Sequence, residues 1–431
     1  MKVLSLFDGM ACGMIAMQIA GVEVESYDAY EIDKYAIKTA QHNFPMIKEH
    51  GDVFSADFTQ YEGADFLIGG SPCTYWSIAK TKNRETVASG MGWELFSQYV
   101  RALHEAKPKY FIYENNKSMS KAIRASIDET FGFEAVLINS ALVSAQNRQR
   151  LYWVGKRNDD GTYSKVLVAQ PEDRGILLRD ILENGTVWQE KSYNLTTRCC
   201  GAIPEDTLKR HRHTMVAEPI EYIDYVPRKN SHIVVNENAI RCAQNKNNAS
   251  CAESFVEFVD KKSQTLIAGR VNKIIIPAMP VKEATVKGYT EIECGECVDL
   301  SMPNSKTRRG RQMADKSNCM QTSNEFYQYV GYAIEFDNEG KLIKAIGKAG
   351  KEITIYEVKD GKITIKGKQY PIKLRDGYYI IRKLTVRECM RLQTVPEWYE
   401  FPVSDSQAYK MLGNGWTCEV IAHILKYSKE A

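Results

Sequence analysis

The chain has 431 residues, of which 44% are hydrophobic and 26% charged, and its formal net charge is +3 at pH 7. These values are ordinary for a soluble globular protein, and the length predicts one large and one smaller domain. No apolar stretch approaches 18 residues and no secretory signal opens the chain, so we expect neither a membrane span nor secretion. Eleven cysteines in such a chain favour free thiols in a reducing compartment over a disulfide framework.

Residues 1 to 155 alternate short apolar runs with helical patterns. The apolar runs predict strands at Val3–Phe7, Val24–Tyr27, Phe66–Ile68, Tyr110–Tyr113 and Arg150–Val154. The helical patterns extend from the glycines at 9 and 13 to about Gly21, around Tyr35–Ala40, over 93–106 and over Met119–Phe131. This rhythm predicts a parallel sheet covered by helices on both faces, the arrangement of an α/β domain.

Residues 156 to 380 have a different sequence pattern, with short β-type runs separated by turn residues. The runs are Ile274–Ile276, Tyr332–Phe336, Ile353–Val358 and Tyr378–Ile381. A helical pattern returns at Leu384, where Thr385 and Glu388 form a capping box, and a last amphipathic helix is predicted around Val420–Tyr427. We therefore predict an α/β domain of residues 1–155, a β-rich insertion over 156–380, and a C-terminal part, 381–431, that completes the first domain.

Two basic clusters and one pair of cysteines stand out in the insertion. The basic clusters span 209–213 and 307–311, and they would suit either a solvated surface or contact with nucleic acid. Cys294 and Cys297 have the CxxC spacing, for which zinc binding and a pair of exposed thiols both remain open. Because no second CxxC or paired histidine run accompanies them, we predict no metal site.

The segment FDGMACG, residues 7–13, follows the first predicted strand and opens a helix, which suits close approach of a ligand to the backbone. It is not the GxGxxG of nicotinamide cofactors. Glu31 lies at the end of the second strand, where a carboxylate can bind both ribose hydroxyls, and Asp52 would accept a hydrogen bond from an adenine amino group. These features favour an adenosine-bearing cofactor without a pyrophosphate, with S-adenosylmethionine as the candidate. Glycines with a purely structural use are the alternative.

Cys73 and Glu114 come from the ends of two different predicted strands, at the edge where open α/β sheets build their sites. A thiolate beside a carboxylic acid suits attack on a weakly electrophilic ring that is protonated as it is attacked. Arg148 and Arg150, in the segment QNRQR, would orient a base carbonyl or a phosphate. Each feature also has an ordinary interpretation, because a cysteine at a strand end is often buried filler and QNRQR would suit a solvated loop.

Together these segments resemble the DNA (cytosine-5) methyltransferases, in the motif order of that family, over residues 1–155 and 382–431. The three cofactor motifs are matched by FDGMACG, EIDKYA and GDV, the Pro-Cys motif by GGSPCTYWS, the ENV motif by ENN and the QxRxR motif by QNRQR. The last two motifs are matched by RKLTVRECMRLQ and YKMLGN. The residues of these motifs are similar to those of phage-type bacterial enzymes and of the animal de novo enzymes. Ser71 stands where the commonest bacterial form has proline, and Asn116 where ENV has valine.

The resemblance implies an S-adenosylmethionine-dependent methyltransferase with a Rossmann-like domain. Cys73 would attack C6 of a cytosine flipped out of duplex DNA while Glu114 hydrogen-bonds N3. Arg148 and Arg150 would hold the base and the catalytic loop. The methyl group would pass to C5, and loss of the C5 proton with release of Cys73 would leave 5-methylcytosine. The implied cofactor-binding residues are Phe7, Asp8, Gly9, Met10, Ala11, Cys12, Gly13, Glu31, Ile32, Asp52, Val53, Pro72, Asn414, Gly415 and Trp416.

The insertion, residues 156–380, would be the target-recognition domain that reads duplex DNA, and its length leaves room for more than one target. We expect a monomer in the cytoplasm of a bacterial or phage-infected cell, without membrane contact. A separately encoded restriction endonuclease as partner and an orphan or prophage role both stay open. Two other functions remain as alternatives, an RNA (cytosine-5) methyltransferase and a catalytically inactive DNA-binding regulator, although Cys73, Glu114 and Arg150 argue against inactivity.

Overall fold

The computed structural model of the chain describes residues 1–78, 82–197, 199–219 and 354–430, together with the backbone of ten short strands between 231 and 346. It divides into two compact units. The first comprises Met1–Glu218, Glu357–Gly377 and Ile381–Ala431, and the second comprises Pro219–Tyr356 and Tyr378–Ile380. Among the described residues, no helix has the length and apolar character needed to cross a membrane.

The first unit contains the sheet that organises the candidate site. Its strands are β1 (Lys2–Leu6), β2 (Ser26–Tyr30), β3 (Lys48–Glu49), β4 (Phe66–Gly69), β5 (Tyr110–Asn116), β6 (Val136–Asn139), β7 (Gln149–Arg157) and β8 (Tyr163–Lys165). The α-helices among the described residues are α1 (Cys12–Ile19), α2 (Lys34–Asn43), α3 (Met91–Ala106), α4 (Lys121–Phe131), α5 (Pro204–Arg210), α6 (Val386–Leu392), α7 (Asp405–Asn414) and α8 (Cys418–Glu430).

The strands of this sheet follow the order β3–β2–β1–β4–β5–β7–β6, and β8 pairs with β7. Strands β1 to β5 are parallel, whereas β7 is antiparallel to β5, β6 and β8. The predicted α/β class is confirmed, but a wholly parallel sheet was wrong for β7, which runs opposite to its three neighbours. Residues 140–148 join β6 to β7 without a crossover helix, and antiparallel neighbours can be joined by such a short connection.

The pairing register brings the ends of three central strands level. Leu6 of β1 pairs with Gly69 of β4, and Gly69 pairs in turn with Tyr113 of β5. The next residues along each strand therefore begin at the same edge of the sheet, where open α/β folds bind their ligands. β5 continues to Asn116, so Glu114 lies within this strand and not at its end, where the sequence analysis placed it.

The predicted boundary at residue 155 falls inside the first unit, which continues to Glu218. Leu178, Leu195 and Val216 are buried in the same apolar core as residues of α1 and α8. Removing such side chains from water stabilises the packing of residues 156–218 on the sheet domain. Lys191 adds polar contacts, because its Nζ donates to the carbonyls of Ala141, Ser144 and Ile176 at 2.8, 3.2 and 2.6 Å.

The C-terminal segment belongs to the first unit as well. The predicted capping box is confirmed, since Thr385 Oγ1 accepts from the Glu388 amide at 3.1 Å and Glu388 Oε2 accepts from the Thr385 amide at 2.8 Å. Helix α8 packs against α1, and the Tyr399 hydroxyl donates to the Met10 carbonyl at 2.6 Å. These contacts connect the end of the chain to the loop after β1.

The remaining strands lie between residues 215 and 383. They are β9 (Met215–Pro219), β10 (Ser231–Asn236), β11 (Ala239–Gln244), β12 (Ser254–Val256), β13 (Met279–Lys282), β14 (Tyr289–Ile292), β15 (Cys297–Asp299), β16 (Arg311–Met313), β17 (Phe326–Gln328), β18 (Ala333–Phe336), β19 (Leu342–Ile346), β20 (Ile355–Lys359), β21 (Lys362–Ile365), β22 (Lys368–Pro371) and β23 (Gly377–Lys383). The order β22–β21–β20–β23–β9 forms one sheet. Three predicted runs correspond to β18, β20 and β23. The run at 274–276, Cys294 and basic residues 307–310 lie outside the described residues.

Candidate active site

Cys73 lies just beyond the carboxyl end of β4 and begins a short 3₁₀ turn, Cys73–Tyr75. Its carbonyl accepts from the amides of Trp76 and Ser77 at 3.1 and 2.9 Å, so local hydrogen bonds fix the backbone of this residue. Cys73 is a free, partly exposed thiol, whereas core filler would be fully buried. Pro72 precedes it, is exposed, and occupies the N-cap position of the turn.

Ser71 and Asn116 depart from the usual motifs, and the structure gives each a partner. The hydroxyl of Ser71 is 2.6 Å from that of Tyr113, and the Ser71 carbonyl accepts from Asn115 Nδ2 at 3.2 Å. Asn116 Oδ1 accepts from the hydroxyl of Ser118 at 2.7 Å. Ser71 and Asn116 therefore both take part in a polar network that joins the Cys73 loop to β5.

Glu114 is 9% exposed, and both of its carboxylate oxygens have nitrogen donors. Oε1 is 2.9 Å from Nε of Arg150 on β7, and Oε2 accepts from Nε1 of Trp416 at 3.0 Å. Burial raises the pKa of Tyr113, and the charges of Glu114 and Cys73 act on it in the same direction. The Tyr113 hydroxyl contacts that of Ser71, two residues before Cys73, so the Cys73 loop and Glu114 lie at the edge shared by β4 and β5.

Gly70 is the residue that lets this arrangement form. A Cβ at Gly70 would be 2.8 Å from the carbonyl oxygen of Glu114, 2.9 Å from its Oε2 and 3.4 Å from Nε1 of Trp416. The first two distances are shorter than a carbon atom can approach without displacement of its neighbours. The glycine therefore provides the space that the carboxylate of Glu114 occupies.

Arg148 and Arg150 have different surroundings. Arg148 is buried, and burial, aided by the nearby charge of Arg150, lowers its pKa to about 10. Its guanidinium donates to Oδ1 of Asn194 at 2.9 Å and to the carbonyls of Leu195, Gly413 and Gly415 at 3.2, 3.4 and 2.8 Å. Arg150 contacts Glu114, whereas the contacts of Arg148 fix the backbone of two other segments.

The loop after β1 has an unusual backbone. Phe7 and Ala11 have φ values of 58° and 60°, and Gly9 lies between them at 62°. Positive φ is rare outside glycine, so this loop stores strain of the kind found at ligand sites. Glu31 fixes the loop, because its Oε2 accepts from the Gly9 amide at 2.8 Å. Its Oε1 accepts from the amides of Ile32 and Asp33 at 2.8 and 2.9 Å.

Two further carboxylates lie near Glu31. Asp8 Oδ1 accepts from the hydroxyls of Ser5 and Tyr27 at 2.5 and 2.6 Å, while Oδ2 is buried without a partner among the described residues. Burial raises the pKa of Asp8 to about 6. Both oxygens of Glu49 are also buried and unpartnered within that described part, and burial, with the charges of Asp8 and Glu31, raises its pKa to about 8. Sequence reasoning missed Glu49, because no motif marks it.

The other predicted cofactor residues have mixed environments. Met10, Ala11 and Cys12 are buried, and a Cβ on Gly13 would lie 2.4 Å from Ile68. Ile32 is 75% exposed although it is apolar, which would suit contact with a flat ring. Asp52 accepts from the Phe54 amide at 3.0 Å and caps a 3₁₀ turn, whereas Val53 is buried in the core.

The C-terminal cofactor residues lie at the end of α7 and in the segment that joins α7 to α8. Asn414 is the last residue of α7, and the carbonyl of Gly415 accepts from Arg148 and from Gln393 Nε2 at 2.8 and 3.1 Å. A Cβ on Gly415 would be 3.0 Å from Sγ of Cys12, so this segment lies against the start of α1. The segment from Asn414 to Trp416 therefore connects the loop after β1 with the carboxylate of Glu114.

These features fit S-adenosylmethionine. The orphaned carboxylate oxygens of Asp8 and Glu49 favour a cation, and the cofactor carries a sulfonium and an ammonium group. The exposed Ile32 offers an apolar surface for an adenine. Glu31 has the position expected for a ribose ligand, although here its oxygens accept from backbone amides.

Comparisons with known proteins agree with the sequence resemblance. The sequence profile of the family described as C-5 cytosine-specific DNA methylase matches residues 1–430. The orphan methyltransferase M.Rho11sI of Bacillus phage rho11s is 35% identical over an alignment of 171 positions, which covers 37% of this chain and 33% of that protein. The type II methyltransferase M.BanI of Aneurinibacillus aneurinilyticus is 23% identical over an alignment of 453 positions, which covers 99% of this chain and 95% of that protein.

The chain thus spans about a third of the length of the phage relative and nearly all of the bacterial one. Among solved structures, a triple mutant of Spodoptera frugiperda DNMT2 has a TM-score of 0.47 and 13% identity and covers 99% of both chains. Because the family profile matches the chain over almost its whole length, this protein belongs to the family of C-5 cytosine-specific DNA methylases.

Proposed function

We propose that this protein transfers a methyl group from S-adenosylmethionine to C5 of a cytosine in duplex DNA, through a covalent bond between Cys73 and C6. The observation that carries the proposal is the carboxylate of Glu114, which Arg150 and Trp416 hold at the same sheet edge as the partly exposed thiol of Cys73. A thiol nucleophile and an oriented carboxylate at one strand edge are the groups that attack on a cytosine ring requires.

The proposed reaction begins with a cytosine flipped into the site. The thiolate of Cys73 forms a bond to C6, and Glu114 supplies a hydrogen bond at N3, which takes up negative charge as the ring electrons shift. S-Adenosylmethionine supplies the methyl group that C5 receives. The C5 proton then leaves to a base, the bond from Cys73 to C6 breaks, and 5-methylcytosine is released.

Arg150 would keep Glu114 oriented toward the base during these steps. Its guanidinium contacts Glu114 Oε1, and a charge-assisted contact of this kind restricts the carboxylate more firmly than a neutral one. Arg148 would act further away, by fixing the carbonyls of Gly413 and Gly415 beside the proposed cofactor segment. The two arginines of QNRQR therefore have separate proposed tasks.

The cofactor would be held by the loop after β1 and by the carboxylates beside it. Glu31 would bind the ribose, Ile32 and Asp52 the adenine, and Asp8 and Glu49 would favour the positive charge. Asn414 and Gly415 would close the site from the C-terminal side. Target recognition is proposed for the part of the insertion beyond Glu218, whereas the basic residues Lys209 and Arg210 at the end of α5 belong to the first unit.

The names of the relatives suggest two biological settings for the proposed activity. M.BanI is a type II methyltransferase, which suggests a separately encoded restriction endonuclease, whereas M.Rho11sI is an orphan methyltransferase. Digestion of host DNA before and after expression, with endonucleases of known targets, would show which sites become protected.

The direct experiment uses the full-length protein with labelled S-adenosylmethionine and either duplex DNA or total RNA. We expect label at C5 of cytosine in DNA, confined to one or a few sequences that bisulfite sequencing of host DNA would identify. Cys73→Ser serves as the control and should transfer none. Label only in RNA would replace the proposal with RNA (cytosine-5) methylation, and DNA binding without transfer would indicate an inactive regulator.

A further inference from the structure

We infer that Trp416 is a positioning residue for Glu114, an inference that rests on the proposed methyl transfer. The indole Nε1 of Trp416 donates to Oε2 of Glu114 at 3.0 Å, across 302 residues of sequence. Sequence motifs give Trp416 a place only in the cofactor segment. The hydrogen bond gives it a second role, at the carboxylate that contacts the cytosine.

The two oxygens of Glu114 are held by two donors from different parts of the fold. Arg150, from β7, contacts Oε1, and Trp416, from the segment between α7 and α8, contacts Oε2. Two donors on opposite oxygens fix both the position and the plane of a carboxylate, which one donor cannot do. Each oxygen keeps a further lone pair, which can carry the proton that Glu114 would share with N3 of the cytosine. Removal of Trp416 would leave Glu114 free to rotate about its contact with Arg150.

The indole itself has a rigid support. The carbonyl of Gly415, the residue before it, accepts from Arg148 and Gln393 at 2.8 and 3.1 Å. Gln393 Nε2 also donates to the Leu412 carbonyl at 2.6 Å. Arg148 therefore acts on Glu114 indirectly, since it holds the backbone that carries Trp416. Support of this kind keeps a positioning group within a fraction of an ångström of its working place.

The position of Trp416 also connects two binding events. The segment from Asn414 to Trp416 lies against the start of α1 near Cys12, where the cofactor is proposed to bind. Trp416 therefore lies between the proposed cofactor segment and the carboxylate of Glu114.

Trp416→Phe tests the inference, because it removes the N–H and keeps an aromatic ring. We expect the single-turnover rate of methyl transfer to fall roughly tenfold to hundredfold, as for a slightly misplaced reacting group. The affinity for S-adenosylmethionine, measured by calorimetry, should change by less than about threefold, because phenylalanine keeps an aromatic ring at position 416. The pH dependence of the transfer rate should also differ from that of the wild-type protein, because one of the two donors to the Glu114 carboxylate is gone.

Trp153→Phe is the matched control. Its Nε1 donates to Oδ1 of Asp128 at 2.7 Å, so it also loses an indole–carboxylate hydrogen bond, but within the core under α4. This variant should lower the melting temperature and leave the pH profile unchanged. In the Glu114→Gln background, Trp416→Phe should lower the rate little further, since both changes act on one interaction.

An unchanged transfer rate and pH profile for Trp416→Phe would overturn the inference. So would a variant that loses only affinity for S-adenosylmethionine and keeps the single-turnover rate. Fully additive effects of Trp416→Phe and Glu114→Gln on the transfer rate would overturn it as well. Wild-type protein that transfers no methyl group to cytosine would instead overturn the proposed function. The two failures are therefore distinguishable in one set of measurements.

Discussion

Glu114 and Arg150 form a diagonal ion pair across two antiparallel strands, with Nε of Arg150 at 2.9 Å from Oε1 of Glu114. In the register of β5 and β7, Glu114 pairs with Tyr152 and Asn116 pairs with Arg150. The two side chains are only 12% and 11% exposed, so water does little to stabilise either charge. The antiparallel pairing that the sequence did not reveal is what places the guanidinium beside the carboxylate.

Removal of one partner of this pair should be costly. Arg150→Ala would leave the carboxylate of Glu114 largely buried without its cation, and we expect a loss of about 3 kcal/mol in the free energy of unfolding. Denaturant titration would measure it. Arg124→Ala removes the partly exposed contact with Asp128 at 3.6 Å and should cost under about 1 kcal/mol. Equal losses in the two variants would show that Arg150 does not compensate a buried charge.

Gly70→Ala tests the packing behind Glu114. The new Cβ would meet the carbonyl oxygen of Glu114 at 2.8 Å and its Oε2 at 2.9 Å, so the carboxylate must shift. We expect methyl transfer to fall by roughly a hundredfold, because reacting groups are sensitive to displacements of about 1 Å. Gly201→Ala is the control, since a Cβ there has no neighbour within 4 Å. Full activity in Gly70→Ala would mean that Glu114 need not hold this position.

Glu49 should make the stability of the ligand-free protein depend on pH. Its pKa is raised from 4.5 to about 8 by burial, so the folded state keeps a proton that the unfolded chain has lost. The resulting stabilisation is complete below about pH 4.5 and is lost as the pH rises through about 8. Thermal unfolding should therefore show a decline over this interval, and Glu49→Gln should reduce it. An identical decline in that variant would assign the effect to other groups.

The same carboxylates should make cofactor binding selective for charge. S-Adenosylmethionine carries a sulfonium that S-adenosylhomocysteine lacks, and ionised Asp8 and Glu49 would favour the cation. Between about pH 6 and pH 8, the ratio of the two affinities should rise in favour of S-adenosylmethionine. Calorimetry with both ligands would measure this ratio, and Glu49→Gln should flatten its pH dependence. A ratio that stays constant with pH in the wild-type protein would remove Glu49 from the cofactor site.

The sequence predicted those parts of the site that depend on local pattern. Cys73 follows a strand whose apolar run is easily recognised, and Thr385 caps its helix as the pattern of Thr385 and Glu388 predicts. The strand before Glu31 was predicted at Val24–Tyr27 but is Ser26–Tyr30, because it has no continuous apolar run. The contacts of Trp416 and Arg148 with distant segments could not be predicted, because they depend on tertiary packing between residues hundreds of positions apart. Glu49 was not predicted as a site residue for a similar reason. A carboxylate in a two-residue strand has no sequence signature, and only the structure shows that its oxygens are buried.

The role of Cys73 as nucleophile is tested most directly by covalent trapping. Fluorine at C5 of cytosine blocks the final loss of the C5 substituent, so full-length protein given S-adenosylmethionine and duplex DNA with 5-fluorocytosine should remain attached to the DNA. Mass spectrometry should map the adduct to the peptide that contains Cys73. Cys73→Ser should bind the DNA and form no adduct, because a serine hydroxyl is scarcely ionised near neutral pH. An adduct at another cysteine, or methylation by Cys73→Ser at the wild-type rate, would contradict the account.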